Sequence, residues 1–375
     1  ECIRCGARLT GFDFPLGCPI CLEEGMPASV RMVYEETDTG KPPKGRGMMQ
    51  YAAGLPVWNF PSLGEGFTPL LPLVTWARKF GLSRFWIKWE GANPTGSHKD
   101  RMSPLIVAAA RLLGKTDVVI ASSGNAGLSL AAYAAAAGLT AHVIVTPRVP
   151  AQVQDWIRSY GGNVWMVSRS DERWPLMGKL VRERGFWPAG NFHVPPVGSN
   201  PFGVQGLKTI AYELVEELGE APDAVIVPTS RGDLIWGIWE GFRECRTRGD
   251  ISQLPRMVAV EPFPRLTRVL HGEDWRGRFE GKTSLASIDG FTVTYQAVAA
   301  VTESGGTAVS VTDQEVAWAW KEAARSGLLL ESSSASVLVA VLRLVNSGWL
   351  KKEETVVAIG TSHGFKERSP RERDQ

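Results

Sequence analysis

Five short runs rich in valine, isoleucine and alanine constrain this chain most: DVVIAS (117–122), AHVIVT (141–146), DAVIVP (223–228), MVAVEP (257–262) and TVVAIG (355–360). None alternates apolar with polar residues as a strand with one wet face would, so each reads as a strand buried on both faces. Helical stretches lie among them: GLSLAAYAAAAG (127–138), GLKTIAYELVEELG (206–219) and DQEVAWAWKEAARSG (313–327). Glycine ends each one, and Thr312 or Asp313 caps the last. Strands alternating with helices predict a mainly parallel, doubly wound α/β fold that binds ligands at the carboxyl ends of its strands. At 375 residues the chain exceeds what one core serves, so two lobes are expected.

The formal net charge is +2 with both signs interspersed, which argues against a nucleic-acid or anionic-membrane surface. No apolar run reaches the roughly 18 residues that would span a bilayer, and the chain opens on Glu-Cys-Ile-Arg, so the reading is cytoplasmic. The first residue is not methionine, and sequence upstream of it is expected. Four of the five cysteines, Cys2, Cys5, Cys18 and Cys21, form two C-x2-C knuckles at the start. That spacing suits a structural zinc ribbon over residues 1–35, the alternatives being two disulfides or free thiols. Cys245 reads as a small buried hydrophobe. Residues 36–60 read as linker or loop, and 367–375 as a charged tail. The 14 tryptophans read mostly as core.

The chemistry centres on EGANPTGSHKDRM (90–102), which sets Lys99 between His98 and Asp100, after a Pro-Thr-Gly-Ser turn and before an alanine-rich helix. An isolated lysine at a helix start is ordinarily a surface residue. Here the turn leaves backbone amides free and the helix offers its positive end, an environment that lowers a lysine's proton affinity and allows a Schiff base at neutral pH. Its aldehyde partner would carry an anionic group for the amides, and pyridoxal 5'-phosphate meets both demands.

These residues, with GEGFTPL (64–70), resemble the threonine synthase branch of the fold-type-II pyridoxal-phosphate enzymes, whose segments read GEGxTPL and NPTGSFKDR. The resemblance runs from about residue 64 to 366, and the N-terminal ribbon occurs in many relatives. It implies a two-lobed α/β catalytic region over 61–366, the smaller lobe at about 85–200 inserted in the larger, and a homodimer. By this match Lys99 binds the cofactor aldehyde and later carries the proton. SSGNAG (122–127) corresponds to the loop that takes the substrate carboxylate, with Ser122, Ser123, Gly124 and Asn125 in that role and Asn125 also on the cofactor's phenolic oxygen. A plain turn is the alternative reading of that loop. AIGTSHGFKE (358–367) is similar to TGHGLKD, which puts Thr361 opposite the pyridine nitrogen; His363 reads as structural.

Two places depart from the pattern. Where the resemblance implies a glycine-rich phosphate loop, this chain has VPTSRGDLIWG (227–237), so Thr229, Ser230, Arg231 and Gly232 become the phosphate-binding candidates and Asp233 the cap of the next helix. Where threonine synthases have the arginine of NPxRxEG, this chain has Gly203 in NPFGVQG (200–206), leaving Arg101, Arg148, Arg158 or Arg169 to compensate. The resemblance implies an amino-acid substrate and a lyase or synthase reaction by elimination or replacement, with O-phosphohomoserine to threonine as precedent. A dehydratase-type β-elimination or a β-replacement is the alternative. A zinc-ribbon scaffold without turnover is a further one.

Overall fold

The computed structural model describes residues 1–11, 13–33, 45–122 and 124–367. Ser123, residues 36–44 of the expected linker and nearly all of the charged tail lie outside the described residues. Among the described residues ten strands follow one another: β1 (Leu70–Pro72), β2 (Arg84–Trp89), β3 (Asp117–Ala121), β4 (Thr140–Val145), β5 (Asn163–Met166), β6 (Trp187–Pro188), β7 (Ala224–Pro228), β8 (Arg256–Glu261), β9 (Thr307–Ser310) and β10 (Thr355–Gly360). The chain divides into two compact units: residues 1–67, 93–209 and 294–296 form one, and 68–92, 210–293 and the chain from 297 onward form the other.

The first unit holds a parallel four-stranded sheet in the order β5-β4-β3-β6. Val119, Ile144, Met177 and Leu180 form a buried cluster there, drawn from β3, β4 and the helix Arg173–Arg184. The second unit holds a six-stranded sheet in the order β1-β2-β10-β7-β8-β9, parallel throughout except that β1 runs antiparallel to β2. Its core joins Ile226, Val258, Val356 and Ala358 to Val337, Leu338 and Val341 of the helix Ser332–Asn346.

The five apolar runs are β3, β4, β7, β8 and β10, interior strands of the two sheets. Four of the remaining strands, β1, β5, β6 and β9, are the sheet edges and span two to four residues each. Such short edges carry too few residues for a periodicity. β2 is internal, and its lysine hides it. Lys88 is fully buried and donates to Thr68 O at 2.7 Å, forming ion pairs with Glu213 at 2.8 Å and with Glu217. Glu213 and Glu217 stand on the helix Lys208–Leu218, so this buried pair ties that helix to the sheet. Removing one partner of such a pair costs about 3–5 kcal/mol.

The three expected helices are Asn125–Ala137, Lys208–Leu218 and Asp313–Arg325. Thr312, not Asp313, caps the last: its hydroxyl accepts from Glu315 N at 3.3 Å while Glu315 accepts from Thr312 N at 2.8 Å. Trp236 and Trp239 are core residues, whereas Trp318 is exposed and lies 4.6 Å below the Lys79 ammonium. No helix among the described residues is long and apolar enough to cross a membrane.

Candidate active site

In the first unit, the opening residues 64–67 of GEGFTPL and the segment NPTGSHKDR are stitched by short polar contacts. Buried Glu65 accepts from Leu63 N at 2.9 Å, Ser62 Oγ at 3.2 Å and Tyr133 OH at 2.7 Å. Asn93 Oδ1 accepts from Gly66 N at 3.0 Å, which ties the two motifs together. The Asp100 carboxylate accepts from Thr95 N and Thr95 Oγ1, both at 2.6 Å, and so closes the turn from which Lys99 projects. Lys99 lies on the 3-10 turn His98–Arg101, ahead of the helix Ser103–Leu112, with Nζ 3.6 Å from Met102 Sδ. Ser97, two residues away, is fully buried, and its hydroxyl has no hydrogen-bond partner among the described residues. An unpaired buried hydroxyl costs about 1–3 kcal/mol. It marks a position where a bound group would supply a partner.

The SSGNAG loop leaves β3 and opens the helix at Asn125. Gly124 has φ +149°, a conformation that side chains rarely adopt. Ser122 Oγ accepts from Gly124 N at 3.1 Å and from Gly127 N at 2.9 Å. The hydroxyl therefore already takes an amide that the sequence assigns to a carboxylate, and it keeps its own proton to donate. A side chain at Gly127 would put Cβ 2.5 Å from Val143 Cγ1, so helix and strand approach only because 127 is glycine.

In the second unit the corresponding loop leaves β7. Thr229 Oγ1 donates to Val227 O at 2.8 Å, so its proton serves the loop and is not offered to an anion. Gly232 has φ +103° and occupies the cap position of the helix Asp233–Arg248, with no side chain bonded at the cap. This corrects the expectation that Asp233 caps the helix. The left-handed Gly232 turns the backbone one residue sooner, and Asp233 becomes the first helical residue. At the end of β10, Thr361 Oγ1 lies 2.6 Å from Ser334 Oγ, which also accepts from Ser362 N at 2.9 Å. His363 accepts from Phe365 N at 3.2 Å and stacks on Trp89 and Phe365, a structural part, and burial pushes its pKa down.

Sequence reading missed Ser97, Ser334 and two further residues of the second unit, Arg265 and Gly290. Arg265 is fully buried, donates to Thr229 O at 2.8 Å and to Gly290 O, and lies 3.5 Å from Glu261. The only local signal was an arginine four residues after a strand-end glutamate.

Gly203 leaves no room for the arginine of the NPxRxEG pattern, since a Cβ there would lie 2.7 Å from Ile106 Cδ1. Of the four arginines considered as substitutes, Arg101 is buried and donates to Thr209 Oγ1 at 2.8 Å. Arg158 and Arg169 form surface ion pairs with Asp155 and Asp171, and Arg148 is exposed.

At the N-terminus the sulfurs of Cys2, Cys5, Cys18 and Cys21 lie within 4.8 Å of one another, with Cys2 to Cys21 at 3.6 Å and Cys5 to Cys18 at 3.8 Å. A disulfide needs about 2.05 Å. Four sulfurs at about 2.3 Å from a tetrahedral zinc would stand about 3.8 Å apart. Amides of Arg4 and Cys5 point at Cys2 Sγ from 3.4 and 3.5 Å, as they do toward a thiolate. Cys245 is buried alone, and burial pushes its thiol up to about 11.

Residues 61–362 match the family model described as "Pyridoxal-phosphate dependent enzyme". The threonine synthase of Methanosarcina acetivorans is 30% identical over 98% of this chain and 92% of its own length. That of Methanocaldococcus jannaschii is 32% identical over 86% and 81%. Among solved structures, processed threonine deaminase isoform 2 from Solanum lycopersicum superposes with a TM-score of 0.71 at 21% identity, covering 92% of this chain and 94% of its own. Maize serine racemase gives 0.68 at 22% identity over 79% and 88%. At these identities the solved structures speak for the fold.

Proposed function

The chain belongs to the pyridoxal-phosphate-dependent enzymes and is a threonine synthase-like lyase among them, and on that premise we propose that Lys99 carries the reaction on an amino-acid substrate. The observation that bears most weight is the turn around Lys99. It combines a lysine on a 3-10 turn, held by Asp100, with a buried hydroxyl at Ser97 that has no hydrogen-bond partner among the described residues.

When bound, pyridoxal phosphate supplies an aldehyde that condenses with amines and a ring that accepts the electron pair of a breaking bond to the α-carbon. Lys99 would hold the aldehyde through Nζ, and that same nitrogen would receive the substrate's α-proton. Asn125 would bind the ring's phenolic oxygen. The Ser122 hydroxyl, with the proton it keeps, the amide of Asn125, and Ser123 by its place in the motif receive the substrate carboxylate, on the turn made by Gly124, whose own amide Ser122 Oγ takes. Ser230, Arg231 and Gly232 take the phosphate, with Thr229 shaping their loop. Thr361, oriented by Ser334, would offer the ring nitrogen a hydroxyl. A hydroxyl does not hold that nitrogen protonated as a carboxylate would, which favours elimination and replacement over transamination.

O-phosphohomoserine going to threonine is the first substrate reading. The packed position of Gly203 favours a second, β-elimination or β-replacement on serine, threonine or an O-activated derivative, because no cation at 203 meets a substrate phosphate. The deciding experiment is the visible absorption spectrum of the purified protein, recorded before and after adding O-phosphohomoserine while free phosphate is assayed. A shifted cofactor band with phosphate release supports the first reading. A band indifferent to this compound but shifted by serine or threonine supports the second, and the absence of any cofactor band sinks both.

The four N-terminal cysteines fit a structural zinc ion that would give the ribbon its fold. Metal analysis should find about one zinc per chain, and replacing Cys18 with serine should abolish it. The same reading makes the protein a cytoplasmic homodimer, and the molecular mass in solution, measured by sedimentation equilibrium, would check the dimer.

A further inference from the structure

The loop after β7 has one glycine where several would be expected, and a cation from elsewhere in the same unit, Arg265, lies beside its own Arg231. Arg265 precedes the short helix Leu266–Leu270 and is fully buried. Its guanidinium donates through Nη2 to Thr229 O at 2.8 Å and through Nη1 to Gly290 O, so one buried cation fastens the loop after β7 to the turn at 290. Its ion-pair partner Glu261 is itself saturated, accepting from Arg265 N at 3.1 Å, Leu266 N at 2.8 Å, Thr267 N at 2.9 Å and Thr267 Oγ1 at 2.6 Å.

A Cβ built on Gly290 would lie 3.0 Å from Ser230 Oγ, 3.6 Å from Arg265 Nη1 and 3.7 Å from Arg231 Nη1. A hydroxyl and two guanidiniums thus converge on one small volume. Gly290 is outside the left-handed region, so the absence of a side chain there serves space and not backbone conformation. Burial pushes the Arg265 pKa down to about 10; Glu261 and Asp289 oppose that shift, while the charge of Arg231 adds to it. Two neighbouring cations in a buried setting gain most from a multiply charged anion. The carboxylates of Asp233 and Asp289 limit that gain without supplying a donor.

We propose that the cofactor phosphate, on the function assigned above, is held by Ser230, Arg231 and the amides opening the helix Asp233–Arg248, in a cradle that Gly290 keeps open. Arg265 is the positioning residue: it holds the cradle's two walls together and adds a second positive charge. A guanidinium pair here does the work that a run of glycine amides does in the pattern this chain resembles.

The test uses the full chain, stripped of cofactor and titrated separately with pyridoxal phosphate and with pyridoxal, which lacks the phosphate. The unmodified chain should prefer pyridoxal phosphate. Gly290→Ala, a substitution with no backbone strain, and Arg265→Met should each weaken pyridoxal phosphate binding roughly ten- to hundredfold while pyridoxal binding stays unchanged. Arg265→Lys should restore part of the loss. Equal loss for both ligands, or no loss for either, would overturn the cradle. If Arg265→Met does not fold, Gly290→Ala decides alone. An unmodified chain that binds neither ligand would overturn the assigned function and the cradle with it; one that binds both equally would overturn the cradle only.

Discussion

Two loops of this molecule have the same local construction and different chemistry. Each leaves the carboxyl end of a buried parallel strand, turns on a glycine with positive φ, Gly124 in one and Gly232 in the other, and runs into a helix. In the loop after β3 the amides of Gly124 and Gly127 are gathered by a neutral hydroxyl, that of Ser122. In the loop after β7 the surroundings are cationic, with Arg231 and Arg265 both close to Gly290. A helix start and a glycine turn make a generic anion site. What stands beside the turn decides its charge. Neutral donors suit a carboxylate that arrives with each substrate and leaves with each product, whereas guanidiniums suit a dianion that stays.

The comparison presumes that Lys99 does the covalent chemistry and the loops do only binding. Lys99→Ala should remove the visible colour of the purified protein and lower turnover by at least roughly a thousandfold. Its preference for pyridoxal phosphate over pyridoxal should survive, because that preference resides in the loop after β7. Absorption spectra, turnover assays and the two-ligand titration check all three points. Retained colour and turnover would remove Lys99 from the chemistry, and a lost preference would show that the loops do not act separately.

Ser122→Ala sharpens the division from the other side. It leaves the amides of Gly124 and Gly127 without their acceptor and should cost about 1–2 kcal/mol of stability by urea unfolding. The KM for the amino-acid substrate should rise roughly tenfold, with cofactor affinity unchanged. A fall in cofactor affinity of similar size would mean that the loop after β3 serves the cofactor more than the substrate carboxylate.

Much of this was legible in the sequence because it is local. The interior strands announce themselves as apolar runs, the Lys99 turn lies within a dozen residues, and the cysteine spacing states its own geometry. The missing parts are relations between distant residues. Arg265 meets Thr229 and Gly290 across 36 and 25 positions of chain, and Ser334 meets Thr361 across 27. No short window of sequence contains any of these three pairs. Sheet edges were missed for want of length, and β2 because Lys88 is charged yet buried against Glu213. The misassigned cap at Asp233 turned on one dihedral, since a left-handed Gly232 starts the helix a residue earlier.

That residue gives the smallest and most discriminating prediction. Asp233 is buried in the first turn of a 16-residue helix, where a carboxylate gains about 0.3–1 kcal/mol from the helix dipole. The same charge opposes any phosphate bound to the opening amides. Asp233→Asn keeps the shape and removes the charge, so stability should fall by about 0.3–1 kcal/mol while the affinity for pyridoxal phosphate rises roughly two- to fivefold. Pyridoxal affinity and the KM for the amino acid should not move. Thermal unfolding and the same two-ligand titration measure both effects on one preparation. A tighter phosphate at lower stability means that charge sets the loop's preference and that Asp233 restrains it. A weaker one means that the carboxylate holds the loop in its binding shape, and the contrast with the neutral loop after β3 then rests on packing instead of on charge.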